Sequence, residues 1–187
     1  EYEYLKIYFK TRRIKDIENI LNNDKLNIVC MVKGVKTHTD KSGNRMCFLK
    51  IEDESGEADA TVFSDVYRKS AQEIFENSIL LIKAHKLSRN GYSGIICDEI
   101  FSAEKNTDML VSGMSLCIKL SSEELDIFRT VQNAFSEHTG SCPVVIYLTD
   151  LKKMISPKTH FSVSADKNLL SDLKQYISYD RIGLIKR

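Results

Sequence analysis

The segment from residue 26 to residue 103 alternates β-rich stretches with short turn sequences, and this order constrains the fold most strongly. The β-rich stretches are LNIVCMVKGVKTH (26–38), RMCFLKIED (45–53), EADATVF (57–63), SILLIKAHKL (78–87) and GIICDEIFSA (94–103). The turns DKSGN and ESG contain residues that adopt left-handed or hydrogen-bonded turn conformations. Apolar residues at helical spacing follow the third stretch, over 65–76.

Three strands, a helix and two further strands joined by tight turns is the order of an OB-fold barrel. Gly34 lies inside the first strand, where a strong bend favours a residue without a side chain. In the second strand Cys47, Leu49 and Ile51 alternate with Met46, Phe48 and Lys50. If the first three residues point into the barrel, Phe48 points outward. We therefore predict an all-β OB-fold barrel.

A second pattern of elements follows residue 113. It reads as a strand at 114–120, a helix with an apolar stripe from Leu125 to Phe135, a strand at 142–150, a broken strand or hairpin around Pro157, a helix at 166–177 and a strand at 181–187. The order βαββαβ predicts a small α+β domain of the split-βαβ type. The predicted organisation is an N-terminal connector (1–25), the barrel (26–105), a linker (106–113) and the C-terminal domain (114–187).

The charges are balanced overall but unevenly distributed. The 187 residues include 27 Lys+Arg and 26 Asp+Glu, which excludes a globally basic nucleic-acid binder but not a local basic patch. Between Lys33 and Lys50 there are five cations and one anion, Asp40. In an OB barrel the first turn and the turn between strands four and five flank one groove. Cations near both turns predict a channel for phosphates.

The candidate nucleic-acid-binding residues are Lys36, His38, Lys41, Arg45, Phe48, Lys83, Lys86 and Arg89. An outward Phe48 either stacks on a base or packs under the first turn or against the C-terminal domain. Asp59 and Thr61 are expected on the same outer surface. There Asp59 opposes a phosphate but is able to accept a hydrogen bond from a base amine.

No motif in the sequence predicts catalysis, a cofactor or a metal site. Five cysteines without a CxxC pair, and four histidines without HxH or HExxH spacing, disfavour a disulfide framework and a zinc site. We interpret the cysteines as buried thiols of a cytoplasmic protein. No stretch approaches the roughly 20 apolar residues that span a membrane. The acidic run at 52–54 is interpreted as a turn in which Asp53 accepts hydrogen bonds from backbone amides.

Longer motifs add a resemblance to a known family. The run GVKTHTDKSGNRMCFLKIEDESGEADATVFSDVYRK resembles the OB domain near the C-terminus of the bacterial DNA polymerase III α subunit. EHTGSCPVVIYL and SADKNLLSDLKQYI resemble that subunit's last domain. The resemblance extends from about residue 2 to residue 187. One departure is Asp40, which stands in a turn that is often more basic in the family.

The resemblance implies a non-catalytic region of a replicative polymerase. It implies that the barrel binds single-stranded template DNA, and that the terminal domain binds the tau subunit of the clamp loader. Nucleotidyl transfer is then carried out by upstream polymerase domains. The chain begins without Met, and we interpret it as part of a longer protein. Two alternatives stay open: an anticodon-type RNA-binding OB domain of a tRNA synthetase, and a protein-interaction scaffold whose OB groove is closed by its partner.

Overall fold

The structure of the chain is a computed structural model that describes residues 2–89, 92–103 and 110–187. The side chains of Arg89 and Tyr92, and residues 106–109 of the predicted linker, lie outside the described part.

The helices and strands of the described residues are, in chain order, α1 (Glu3–Tyr8), a 3-10 helix (Ile14–Asn19), β1 (Lys25–Thr39), β2 (Arg45–Asp53), β3 (Gly56–Val62), α2 (Ser64–Ser70), β4 (Ile79–Arg89), β5 (Tyr92–Ser102), β6 (Met114–Leu120), a 3-10 helix (Ser122–Glu124), α3 (Leu125–Glu137), β7 (Thr139–Leu148), β8 (Lys153–Ile155), β9 (Ser162–Val163), α4 (Lys167–Leu173), a 3-10 helix (Tyr179–Arg181) and β10 (Ile182–Lys186). They form two compact units. We call Thr11–Glu104 the barrel unit, and Glu1–Lys10 together with Lys105–Arg187 the terminal unit.

The barrel unit is a closed five-stranded barrel in the order β1-β2-β3-β5-β4. β3 and β5 pair in parallel, and the other neighbours are antiparallel. The side chains of Ile28, Leu49, Ile51 and Ile82 are fully buried in its core. The predicted OB-fold is therefore confirmed, because the alternating apolar residues of each strand close around one interior.

The first strand takes part in both halves of the barrel. Residues from Lys25 to Met31 pair with β4, and the residues from Met31 onward pair with β2. The register shifts between Val32 and Gly34, which is a β-bulge at the predicted bend. A Cβ atom at Gly34 would meet only Lys50 Cβ, at 3.8 Å, so close packing does not require glycine there.

The predicted connector, residues 1–25, is not a separate segment. Ile14 and Ile17 of the first 3-10 helix are buried in the barrel core, whereas Leu5 and Tyr8 of α1 are fully buried in the terminal unit. The boundary between the units falls after Lys10. These elements have only six residues each, which is too short for periodicity to show which core they join.

The terminal unit is an α+β domain, as predicted. Its sheet has the order β10-β6-β7-β8, and β9 pairs with β7. β6 and β7 are parallel and directly adjacent, with Ile118 opposite Ile146. The predicted split arrangement is therefore wrong, because the two strands that α3 connects pair directly with each other. Strand order depends on long-range pairing, which the local pattern βαββαβ does not encode.

All five cysteines are buried, which agrees with their interpretation as packing residues. Burial raises the pKa of Cys47 to about 11 and that of Cys97 to about 12. Such thiols carry little thiolate at neutral pH, so they are poor nucleophiles. Within the described ranges no helix has the length and apolar character needed to cross a membrane.

Candidate nucleic-acid interface

The outer surface of β1 and β2 brings an aromatic ring next to basic side chains. Lys36 lies opposite Phe48, and His38 lies opposite Met46. Phe48 is 41% exposed, whereas its strand neighbours Cys47 and Leu49 are buried. The predicted outward orientation of Phe48 is thus found, because the inward row of β2 fills the barrel core. The His38 and Phe48 rings are tilted by 44° with centroids 6.4 Å apart.

A groove of 640 Å³ lies over this surface. Its lining consists of Gly34, Val35, Lys36, Phe48, Leu49, Lys50, Asp59, Glu76 and Ser93. Ser93 belongs to β5 and pairs with Ser88 of β4, near the end of β4 and the start of β5. The groove therefore extends from the β1–β2 surface to these strand ends, which is the location predicted for an OB groove.

The turn between β1 and β2 is built by Asp40. Its carboxylate accepts hydrogen bonds from the backbone amides of Ser42 (2.9 Å) and Asn44 (2.8 Å). The hydrogen bonds from Asn44 hold the pKa of this carboxyl below its usual value. Asp40 therefore lowers the net positive charge of the turn by one. It also fixes the conformation of the loop, in which Lys41 is exposed to solvent.

The basic residues of this region differ in their pairing. Lys33 Nζ lies 3.1 Å from Glu52 Oε2, and Lys50 Nζ lies 2.7 Å from Glu57 Oε2. Within the part of the chain that the structure describes, Lys36, Lys41 and Arg45 form no ion pair, and all three are exposed. Three of the five cations between Lys33 and Lys50 are thus available to phosphates.

Lys83 lies on a different surface from the one predicted. Its register partner on β1 is Asn27, in the half of that strand that pairs with β4. Lys83 Nζ lies 2.6 Å from Glu99 Oε2 and 4.9 Å from the centroid of the Phe101 ring. These partners hold the ammonium on the outer surface of β4 and β5, outside the lining of the groove.

Lys86 also departs from the prediction, because its side chain is 9% exposed and donates to Glu18 O at 2.5 Å. The sequence contains a signal for this. Leu80, Ile82 and Ala84 form the inward row of β4, and Lys86 continues that row. The side chain of Arg89 is outside the described part, so its predicted role stays a prediction.

A second cavity, which the sequence did not predict, shares Asp59 and Ser93 with the groove. It has a volume of 510 Å³ and lies between the first 3-10 helix, the β2–β3 turn and the start of β5. Its lining includes Glu18, Glu57 and Lys86. The cavity and the groove adjoin at these two shared residues.

Asp53 attaches that 3-10 helix to the β2–β3 turn. Its carboxylate accepts from Ile14 N at 2.9 Å and from Ser55 N at 2.7 Å. Partial burial raises the pKa of Asp53, but the hydrogen bonds from Ser55 and Ile14 outweigh this effect and lower the pKa. The interpretation of Asp53 as a turn residue is consistent with these contacts.

In the terminal unit, Lys10 occupies part of the β10 edge. Its ammonium donates to Tyr179 O at 3.1 Å and to Ile182 O. Burial lowers the pKa of Lys10. At the opposite edge of the sheet, Leu151 and Met154 are 61% and 44% exposed. The edge at β8 therefore presents the more open apolar surface.

The terminal unit also contains a histidine–aspartate contact that the sequence did not predict. His138 Nε2 lies 2.7 Å from Asp172 Oδ2, and a carboxylate oxygen of Glu137 lies within 4.8 Å of both side chains. The pair joins the end of α3 to α4 across 34 positions of sequence. No local spacing motif reveals such a contact.

Comparison with known proteins defines the class of the barrel. Residues 27–101 match the tRNA anti-codon family, which is described as an OB-fold nucleic acid binding domain. This match and the closed barrel agree, and the barrel unit is an OB-fold domain.

The whole chain has more particular relatives. It is 25% identical to the DNA polymerase III subunit alpha of Pseudomonas aeruginosa over 98% of this chain and 16% of that protein. It is 24% identical to the subunit of Bacillus subtilis over 85% of this chain and 14% of that protein. The chain thus spans about a sixth of the length of these relatives. These similarities confirm the predicted resemblance to the α subunit.

Solved structures resemble the chain over about half of its length. A domain of replication protein A from Methanococcus maripaludis has a TM-score of 0.41 and 17% identity, and covers 51% of this chain and 97% of that chain. A replication protein A heterotrimer bound to single-stranded DNA has a TM-score of 0.40 and 14% identity, and covers 52% of this chain and 83% of that chain.

Proposed function

We propose that this chain is a non-catalytic region of a replicative DNA polymerase α subunit whose barrel binds single-stranded template DNA. The observation that carries the proposal is the groove in which the exposed Phe48 ring lies opposite Lys36. Lys41 and Arg45, at the adjoining turn, add two cations without protein partners among the described residues.

The two kinds of side chain contribute different parts of the affinity. An aromatic ring stacks on any base, because every base has a π face. Unpaired cations neutralise phosphates and release counterions, which makes binding depend on salt but not on sequence. A groove that combines them holds and positions a strand without any reacting group. His38 and Arg45 are assigned to its rim, and Lys83 and Lys86 contribute least, since both already have protein partners.

The test is a salt titration of oligo(dT) binding to the double variant Lys36→Ala, Lys41→Ala. Each phosphate contact with a single strand contributes about 0.7 to the slope of log K against log salt. Removing two cations should therefore flatten the slope by about 1.4 and weaken binding at low salt. The matched control is Lys25→Ala, Lys69→Ala, which removes two exposed cations of the same unit outside the groove. Equal slopes for the two double variants would contradict the proposal.

An RNA ligand is the second candidate, because the matching family carries an anti-codon name. The same titration with oligo(U) separates the two, since a DNA module binds oligo(dT) at least as tightly. A scaffold with a closed groove is less well supported, because Lys36 and Lys41 are exposed and unpaired within the described residues.

We further propose that the terminal unit binds the tau subunit of the clamp loader. The support is the homology to polymerase α subunits, which includes the terminal unit. The β8 edge, with exposed Leu151 and Met154, is the surface to which we assign the contact. Nucleotidyl transfer is assigned to polymerase domains outside this chain.

A further inference from the structure

Two acidic side chains, Asp59 and Glu76, line the groove, and Asp59 is the one that lies beside Phe48 in the sheet. Asp59 of β3 is exposed and lies opposite Lys50, while Phe48 lies opposite Thr61. Asp59 is therefore a diagonal neighbour of Phe48 on the same face of the sheet, at a typical separation of about 7–8 Å. Lys50 does not neutralise it by direct contact, because its ammonium forms its ion pair with Glu57 at 2.7 Å. No hydrogen bond to the Asp59 carboxylate occurs within the described residues.

An unpaired carboxylate restricts how a polyanion can lie in this groove. Phosphates are repelled by Asp59 and attracted by Lys36 and by the cations of the β1–β2 turn. The favourable orientation places the backbone along β1 and that turn, and the bases over β2 and β3. The base stacked on Phe48, or the next base of the strand, then presents its hydrogen-bonding edge to Asp59.

The chemistry of the carboxylate distinguishes between bases. An ionised carboxylate accepts hydrogen bonds and donates none. Cytosine and adenine carry an exocyclic amine that donates, whereas the corresponding position of thymine is a carbonyl acceptor. We propose that Asp59 is a specificity-determining residue that makes the groove prefer bases with an exocyclic amine, cytosine over thymine in particular. This inference rests on the proposed function, since it requires a single strand in the groove.

The experiment compares oligo(dC) and oligo(dT) of about 12 nucleotides, a length within the range for one OB fold, by fluorescence anisotropy in the same buffer. One hydrogen bond predicts about 3- to 10-fold tighter binding of oligo(dC). In Asp59→Asn the amide both donates and accepts, so the ratio should fall to about 1 while oligo(dT) binds more tightly. Asp65→Asn removes the same charge from α2, outside the groove, and should leave the ratio unchanged.

The outcomes separate the inference from the function on which it rests. Equal binding of the two oligomers by the unmodified chain overturns the inference. So does a preference that survives Asp59→Asn, because the preference then does not depend on the carboxylate. In both cases salt-dependent binding leaves the proposed function standing. Absence of binding to either oligomer would contradict the proposed function itself.

Discussion

Replacing Phe48 by alanine isolates the contribution of base stacking to DNA binding. Phe48 is 41% exposed and lines the groove, so a base in the groove can reach its ring. The rest of the ring is covered by protein, where it lies near His38 with centroids 6.4 Å apart. We therefore assign one stacked base to this position.

The expected size of the effect follows from that single base. Stacking on an aromatic side chain is worth about 1–3 kcal/mol per base, which corresponds to about 5- to 140-fold in affinity. The salt slope should stay the same, because Phe48→Ala removes no charge. The folded state should lose less than the roughly 3–5 kcal/mol typical of a buried Phe→Ala change, since Phe48 is partly exposed.

The assay is fluorescence anisotropy with labelled oligo(dT) at several salt concentrations, together with thermal unfolding of each variant. Phe48→Leu preserves most of the apolar volume without a π face, so it should bind nearly as weakly as Phe48→Ala while unfolding at a higher temperature. Phe63 follows β3, is 50% exposed and does not line the groove, which makes Phe63→Ala the matched control. The reasoning is refuted if Phe48→Ala binds like the unmodified chain, or if Phe63→Ala loses as much affinity.

Two further predictions concern other parts of the chain. Asp53→Ala leaves the amides of Ile14 and Ser55 without their acceptor, so unfolding in denaturant at neutral pH should show a loss of about 1–3 kcal/mol. The folded-state pKa of Asp53 is lowered, so its contribution to the free energy of unfolding is complete above the usual Asp pKa of about 3.9. This contribution is lost as the pH falls through the folded-state pKa. A difference in unfolding free energy between variant and parent that stays constant down to acid pH would contradict this. In the terminal unit, Met154→Glu places a charge on the exposed β8 edge and should weaken binding of clamp-loader tau. The measurement is a calorimetric titration with purified tau. The control, Lys174→Glu on the loop after α4, should leave binding unchanged. Equal heats for the two variants would remove the β8 edge from the proposed interface.

The barrel could be predicted from the sequence because its strands alternate and its turns are marked. Cys47, Leu49 and Ile51 repeat every second residue, and Asp40 and Gly43 mark the turn before them. Period and turn chemistry are local properties, so a single sequence displays them. The outward position of Phe48 follows from the same alternation.

Pairing between distant segments could not be predicted in this way. Ile14 reaches the barrel through Asp53, 39 positions later, and Tyr8 reaches the terminal unit, where its hydroxyl donates to Asp166 O, 158 positions later. The adjacency of β6 and β7 is also a matter of long-range register. None of these contacts leaves a periodic trace in the sequence.

The candidate site shows why a count of charges is a weaker guide than the alternation of a strand. The sequence assigns Lys83 and Lys86 to the groove because they precede a turn, yet Lys83 pairs with Glu99 and Lys86 is buried against Glu18.

With Lys36, Lys41 and Arg45 as the unpaired cations, the slope of log K against log salt for a single strand should be near −2, since each cation contributes about 0.7. Affinity then falls about 20-fold between 50 and 200 mM salt. Such a barrel by itself holds a strand weakly, and weak binding is compatible with the proposed role. In that role, attachment to a polymerase already on the template supplies a high effective concentration of the barrel near the strand. Weak binding then leaves the barrel free to release each position of the strand in turn.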